Sequence, residues 1–218
     1  SSDLDYNADL FEAATIKRWL GHFRTLLEGL AANPDAEVAK LPLLDEEERR
    51  QILIDWNRTE APFPRHACFH ELVAEQARLT PSAVAIRAGN QTLTYEEFDS
   101  RANSLAHFLR GQGVGPEALV GVCCERSLEL AVGLLAILKA GGAYVPLDPD
   151  YPRDRLEWMI QDARLKIVLT QGRLKHLLPQ GGLKMIELDA ADPHWSGSKP
   201  PPISGVTPEN LAYVIYTS

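Results

Sequence analysis

Apolar residues recur early in the chain at helical spacing. Ile16, Leu20, Phe23, Leu27 and Leu30 follow one another by four, three, four and three positions, which aligns them on one seam of an amphipathic helix. Asn33-Pro34 ends that helix, because proline cannot continue the hydrogen-bond ladder. Before it, Ser1 to Ala8 alternates weakly and predicts a strand. A seam this regular must bury against something. Little precedes it, so its partner is expected to lie outside this chain. Leu41 to Phe63 reads as a connector with one short helix. There Asp45 is the N-cap, and Glu46, Glu47 and Glu48 sit at the positive end of the helix dipole. Ala61-Pro62-Phe63-Pro64 reads as an extended linker.

From about Cys68 the pattern changes to alternating helices and strands. Phe69, Leu72, Val73 and Gln76 open a helix that ends before Thr80-Pro81. Ala83 to Arg87 and Gln91 to Thr94 predict two strands joined at Gly89-Asn90. Thr94-x-x-Glu97 is a capping box, and Phe98, Ala102, Leu105 and Leu109 form the inner face of the helix behind it. Leu119 to Cys124 is a continuous apolar run, the signature of a strand buried on both faces. Leu128 to Lys139 predicts a helix stopped by Gly141-Gly142, and Ala143 to Leu147 the next strand. Pro152 suits the first position of a further helix carrying Leu156, Met159 and Ile160. Ile167 to Thr170 and Met185 to Leu188 are short strands, and Asp192 to Pro208 is a Pro-, Gly- and Ser-rich loop. Leu211 to Ser218 predicts a buried strand ending on hydroxyls. This alternation implies an α/β fold with a doubly wound, largely parallel sheet, in which ligands bind at the carboxyl ends of the strands.

Composition narrows the function classes. The 218 residues are 45% hydrophobic and 24% charged, as in ordinary globular proteins. A net charge of −8 opposes binding to phosphate backbones, so no nucleic-acid partner is expected. The longest uncharged apolar run, Leu130 to Leu138, is far below the ~20 residues needed to span a bilayer, so no membrane partner is expected either. No signal peptide opens the chain, and Met159 and Met185 are its methionines, so an interior segment of a longer protein is the expectation. Cys68, Cys123 and Cys124 have no repeating spacing. They read as small buried hydrophobes in a reducing, cytoplasmic setting.

Several motifs invite chemistry that their context does not support. Gly111-x-Gly113-x-Gly115 follows a helix rather than a strand, so it reads as a helix end and turn before Pro116, not a dinucleotide loop. His66-x-Cys68-x-His70 has ligand chemistry, but no second cluster completes it, and a helix N-terminus that carries histidines is the favoured reading. Glu46-Glu47-Glu48-Arg49-Arg50 reads as a solvated helix face.

Leu138-Lys139-Ala140-Gly141-Gly142-Ala143-Tyr144-Val145-Pro146-Leu147-Asp148-Pro149 is, by itself, a helix, a glycine cap and a strand closed by prolines. As written, it closely resembles the Leu-Lys-Ala-Gly-x-Ala-Tyr-Val-Pro-Leu-Asp core motif of nonribosomal peptide synthetase adenylation domains. Leu93 to Phe98 resembles the family's first core motif, with Phe98 where leucine is usual. Leu211 to Ser218 resembles the run into its phosphate loop, which would continue Gly-Ser-Thr-Gly. Trp56-Asn57-Arg58-Thr59 resembles the linker before these domains, and Tyr6 to Phe11 with the following helix is similar to the close of a condensation domain.

The resemblance implies residues 1–33 as the end of a condensation domain, 34–67 as an interdomain linker, and 68–218 as the N-terminal part of an adenylation domain. The fold implied for the last part is the large subdomain of an adenylate-forming enzyme. The implied activity is ATP-dependent activation of an amino acid as aminoacyl-adenylate, with Mg²⁺, followed by transfer to the phosphopantetheine arm of a carrier domain. Thr217 and Ser218 match the start of the phosphate loop, and no catalytic residue or metal ligand is carried over. The family's loop glycines, amino-acid pocket and catalytic lysine have no counterpart here, nor has the condensation domain's paired-histidine motif. The segment alone is therefore expected not to form aminoacyl-adenylate. Its terminal strand should be central in the complete sheet, which predicts aggregation or the need for a partner. Two other readings stand beside this one: an acyl- or aryl-acid ligase of the same superfamily, and a non-catalytic docking segment between domains built on the acidic linker and the helix from Ile16 to Leu30.

Overall fold

The computed structural model describes residues 4–179, 181–190, 195, 197 and 199–217. The chain divides into two compact units, 1–63 and 64–218.

In the first unit, α1 (Ala13–Ala32) carries the predicted seam and ends at Asn33. Ile16 is buried, whereas Leu20, Phe23, Leu27 and Leu30 remain exposed. The described part of the predicted first strand, residues 4–8, forms no strand. Weak alternation is not enough without a neighbouring strand to complete its hydrogen bonds, and residues 1–3 lie outside the described residues. The connector folds as expected into α2 (Glu46–Arg50), whose N-cap Asp45 accepts from the Glu48 amide at 2.8 Å. A π-helical turn, Gln51–Asp55, extends it. Glu48 also meets His22 of α1, with Oε2 2.7 Å from Nε2.

In the second unit, α3 (Phe69–Leu79) precedes an antiparallel hairpin of β1 (Val84–Ala88) and β2 (Gln91–Thr94). Then follow α4 (Tyr95–Gly111), β3 (Leu119–Cys123), α5 (Leu128–Ala140), β4 (Ala143–Pro146), α6 (Arg153–Asp162), β5 (Ile167–Thr170) and β6 (Lys184–Glu187). The capping box forms: Thr94 Oγ1 accepts from the Glu97 amide at 3.2 Å, and the Thr94 amide donates to Glu97 Oε2 at 2.9 Å. Pro152 stands one position earlier than expected, as the N-cap of α6. Its fixed φ suits a helix entry at either position.

Strands β3 to β6 make a parallel sheet in the order β4-β3-β5-β6. The chain runs outward from β3 to β4, then returns to the far side of β3 with β5 and β6. With crossovers of one hand, such a reversal puts successive helices on opposite faces. The packing agrees: α4 and α5 bury Leu105, Leu109, Leu135 and Ile137 with Val120, Val122 and Leu169 on one face. On the other, α6 buries Leu156, Met159 and Ile160 with Cys123, Val145 and Val168. The sheet is doubly wound, as the alternation predicted.

The terminal segment corrects one expectation. Residues 211–217 run parallel to β4 but make a single bridge, Tyr144 to Tyr213, and not a strand. Leu211, Tyr213 and Ile215 are 47%, 52% and 60% exposed, so the segment is not buried. It lies on the outer side of β4, where a strand has a neighbour on one side only, and the outward residues of its alternation meet solvent.

Candidate functional site

The carboxyl ends of β3 and β4 open into a cavity of about 800 Å³, lined among others by Cys124, Arg126, Tyr144, Asp148, Tyr151 and Tyr216. This is where a doubly wound sheet exposes chain ends that can turn toward a ligand. Asp148 and Asp150 follow β4 and shape its rim, the Asp150 amide donating to Asp148 Oδ1 at 3.0 Å.

The terminal segment reaches this rim along β4. The Tyr144 amide donates to the Ala212 carbonyl at 3.1 Å, and the Val214 amide to the Tyr144 carbonyl at 3.0 Å. The Tyr144 and Tyr213 rings stack at 5.5 Å and 29°. Burial, then the neighbouring Tyr213, pushes the Tyr144 phenol up, so it stays neutral at physiological pH. Tyr216 lines the cavity, and Thr217, the next residue, is exposed. Ser218, the other expected binding residue, lies outside the described residues.

The long motif across α5 and β4 supports this site rather than forming it. Gly141 caps α5 with φ +95°, a conformation other residues adopt only under strain. At Gly142 a Cβ would fall 2.8 Å from Val114 Cγ1 and 2.9 Å from the Ala118 carbonyl oxygen, so only glycine lets β4 start beside β3. Lys139 is the residue that sequence reading missed. It is only 2% exposed, with Nζ 2.7 Å from Asp99 Oδ1 and donating to Asn103 Oδ1 at 2.7 Å. Asn103 in turn donates to Asp99 Oδ2 at 2.9 Å. Asp99 Oδ1 is shielded from solvent and accepts no well-aligned hydrogen bond, so the ammonium is what neutralises it. This triad ties α4 to α5 above the sheet. The signal for it was a lone charge inside an otherwise apolar helix face.

The motifs whose context argued against ligand chemistry take structural places in the fold. Cys68 is the N-cap of α3, its amide donating to Glu71 Oε2 at 2.7 Å. Burial holds the His70 imidazole below its usual range, with Lys139 adding to the effect and Glu71 opposing it. Gly113 takes φ +90° in the turn after α4. Burial pushes the thiols of Cys123 and Cys124 up to about 11 and about 12, so both are unreactive at neutral pH. Among the described residues, no group of three or more His, Cys, Asp or Glu side chains could hold a metal ion, and no helix is long and apolar enough to cross a membrane.

Residues 73–218 match the family model for AMP-binding enzymes, and residues 1–53 match the condensation-domain model. The chain is 47% identical to a linear gramicidin synthase of Brevibacillus parabrevis, over 99% of this chain and 4% of that relative. It is 41% identical to chondramide synthase cmdD of Chondromyces crocatus, over 99% of this chain and 6% of that protein. The chain thus spans a small part of the length of the curated relatives it matches. Among solved structures, it resembles the nonribosomal peptide synthetase FmoA3 with a TM-score of 0.74 and 33% identity, over 95% of this chain and 22% of that one. It also resembles holo-AB3403, a four-domain nonribosomal peptide synthetase bound to AMP and glycine, with a TM-score of 0.73 and 26% identity, over 98% of this chain and 16% of that one. The cavity at the carboxyl ends of a parallel sheet, the motif that builds β4 and these matches agree: the chain belongs to the AMP-binding enzyme family, in its nonribosomal peptide synthetase form, with condensation-domain sequence ahead of it.

Proposed function

We propose that the chain is part of a synthetase module that activates an amino acid with ATP and passes it to a carrier domain. The observation that carries this reading is the AMP-binding match over 73–218, together with a cavity at the carboxyl ends of β3 and β4 that is lined by Tyr216, the residue before Thr217. Within the module, residues 1–33 close a condensation domain, 34–67 link, and 68–218 begin the adenylation domain.

In the proposed reaction the amino-acid carboxylate attacks the α-phosphate of ATP and pyrophosphate leaves. An anion approaches a polyanion, so the barrier is electrostatic, and backbone amides and hydroxyls at the phosphate are the stabilising groups a protein chain offers. This chain contributes the sheet that positions the loop, the rim of the cavity, and the hydroxyls of Thr217 and Ser218 at the start of the phosphate run. Mg²⁺ supplies charge neutralisation in such reactions. The described residues do not by themselves form a site for it, and no step is assigned to it. The acceptor is the phosphopantetheine thiol of a carrier domain. Because Thr217 and Ser218 are the part of the phosphate run present, the 218-residue piece alone is inactive in this reading. The buried, unpaired thiols of Cys123 and Cys124 support a reducing, cytoplasmic setting.

The test is amino-acid-dependent exchange of labelled pyrophosphate into ATP by the purified parent synthetase. Exchange with one or a few amino acids is expected. Exchange that ignores amino acids but responds to acyl or aryl acids would favour the neighbouring ligase class, against which the condensation-domain match over 1–53 speaks. A structural role stands beside catalysis for the first unit, because the seam of α1 leaves Phe23 and Leu27 exposed and carries no reactive group.

A further inference from the structure

We propose that Tyr216, Asp162 and Trp158 form a clamp that fixes the position of Thr217, which makes Tyr216 a positioning residue for ATP; the inference rests on the nucleotide reading given above. Among the described residues, the backbone of the terminal segment is tied to β4 at Tyr144, through Ala212 and Val214. Its single bridge is at Tyr213, and among the described residues Ile215, Tyr216 and Thr217 make no backbone–backbone hydrogen bond. Among the described residues, the contacts nearest Thr217 are those of the Tyr216 side chain. Thr217 is exposed, whereas Tyr216, about 3.8 Å away along the chain, is half-buried and doubly held.

The first hold is a hydrogen bond from the Tyr216 hydroxyl to Asp162 Oδ2, at 2.5 Å. The second is an edge-on contact of the Tyr216 ring with Trp158, at 5.4 Å between centroids and 77° between planes. Trp158 and Asp162 are four residues apart on α6 and so share one face of that helix. The helix is a rigid reference, because Leu156 and Met159 are 0% and 1% exposed and pack on the sheet. Trp158 itself is 56% exposed, a large apolar surface on a helix whose inner face is already filled. The clamp gives that side chain a role. Burial, with the Asp162 carboxylate beside it, pushes the Tyr216 phenol up to about 12, so the hydroxyl remains a donor throughout the neutral range.

The experiment is pyrophosphate exchange by the parent synthetase, measured against ATP and against amino acid separately. Loss of one hydrogen bond in Tyr216→Phe or Asp162→Ala should raise the KM for ATP by roughly two- to tenfold. The KM for the amino acid should be unchanged, and the double variant should be no worse than either single one. Asp162→Asn keeps an oxygen acceptor and should stay within about twofold of the unmodified enzyme. A general loss of folded enzyme would instead lower kcat and leave both KM values alone. Unchanged KM for ATP in Tyr216→Phe and Asp162→Ala, or effects that multiply in the double variant, would overturn the clamp. An unmodified enzyme that exchanges no pyrophosphate with any amino acid would overturn the nucleotide reading and the clamp with it.

Discussion

Replacing Lys139 by methionine tests whether the α5 motif acts through a buried charge. Methionine keeps the length and the apolar stem but removes the ammonium. Asp99 Oδ1 then loses its neutralising charge, and Asn103 Oδ1 loses its donor at 2.7 Å. Removing one member of a buried pair costs ~3–5 kcal/mol, because the other charge stays in a poorly solvated place. The Asp99 side chain is 16% exposed, so water reaches it in part and the low end, about 3 kcal/mol, is the expected loss. With a urea dependence of ~1–3 kcal/mol/M, the midpoint should fall by roughly 1–3 M. Urea denaturation of the parent synthetase, followed through the hydrogen-exchange protection of α4 and α5, reads this shift. Lys139→Met combined with Asp99→Leu removes both charges and should recover much of the loss, a coupling that a double-mutant cycle isolates. A single variant within about 0.5 kcal/mol of the parent chain, or strictly additive effects in the cycle, would refute the argument.

Gly142→Ala should destabilise the second unit by ~1–3 kcal/mol, since the new methyl meets the Ala118 carbonyl, part of a backbone that cannot swing aside; the same urea titration checks it. The thiols should divide by burial. Cys123, raised to about 11, carries roughly one thiolate in a thousand at pH 8, and Cys124 fewer still, whereas Cys68 is half-exposed. A disulfide reagent should therefore modify one thiol quickly in the native chain and the other two only in urea. Three equal rates would count against the packing of β3.

Much of this fold is legible in the pattern of residues. The apolar run at Leu119 could belong only to a strand covered on both faces, and the structure buries Val120 and Val122 under one layer and Cys123 under the other. Thr94 and Glu97 announced a helix start because their chemistry is local, complete within four residues. What escaped the reading depends on neighbours distant in sequence. The run from Leu211 looks like a buried strand, yet burial is set by what flanks it, and here its outer side meets solvent. Lys139 read as the last residue of a helix, because its partners Asp99 and Asn103 lie 40 and 36 positions earlier on another helix. Thr217 was marked by resemblance, whereas the Tyr216 contacts beside it follow from the placement of α6, which no local motif encodes.

The central claim is that ATP meets this chain at the carboxyl ends of β3 and β4, beside Thr217. Hydrogen exchange on the parent synthetase, with and without ATP and the cognate amino acid, tests it most directly. The account predicts slower exchange on ligand addition in the segment from Tyr213 to Thr217 and in the β4 exit from Leu147 to Tyr151, with little change in α1. Protection confined to other regions, with both of these segments unchanged, would contradict it.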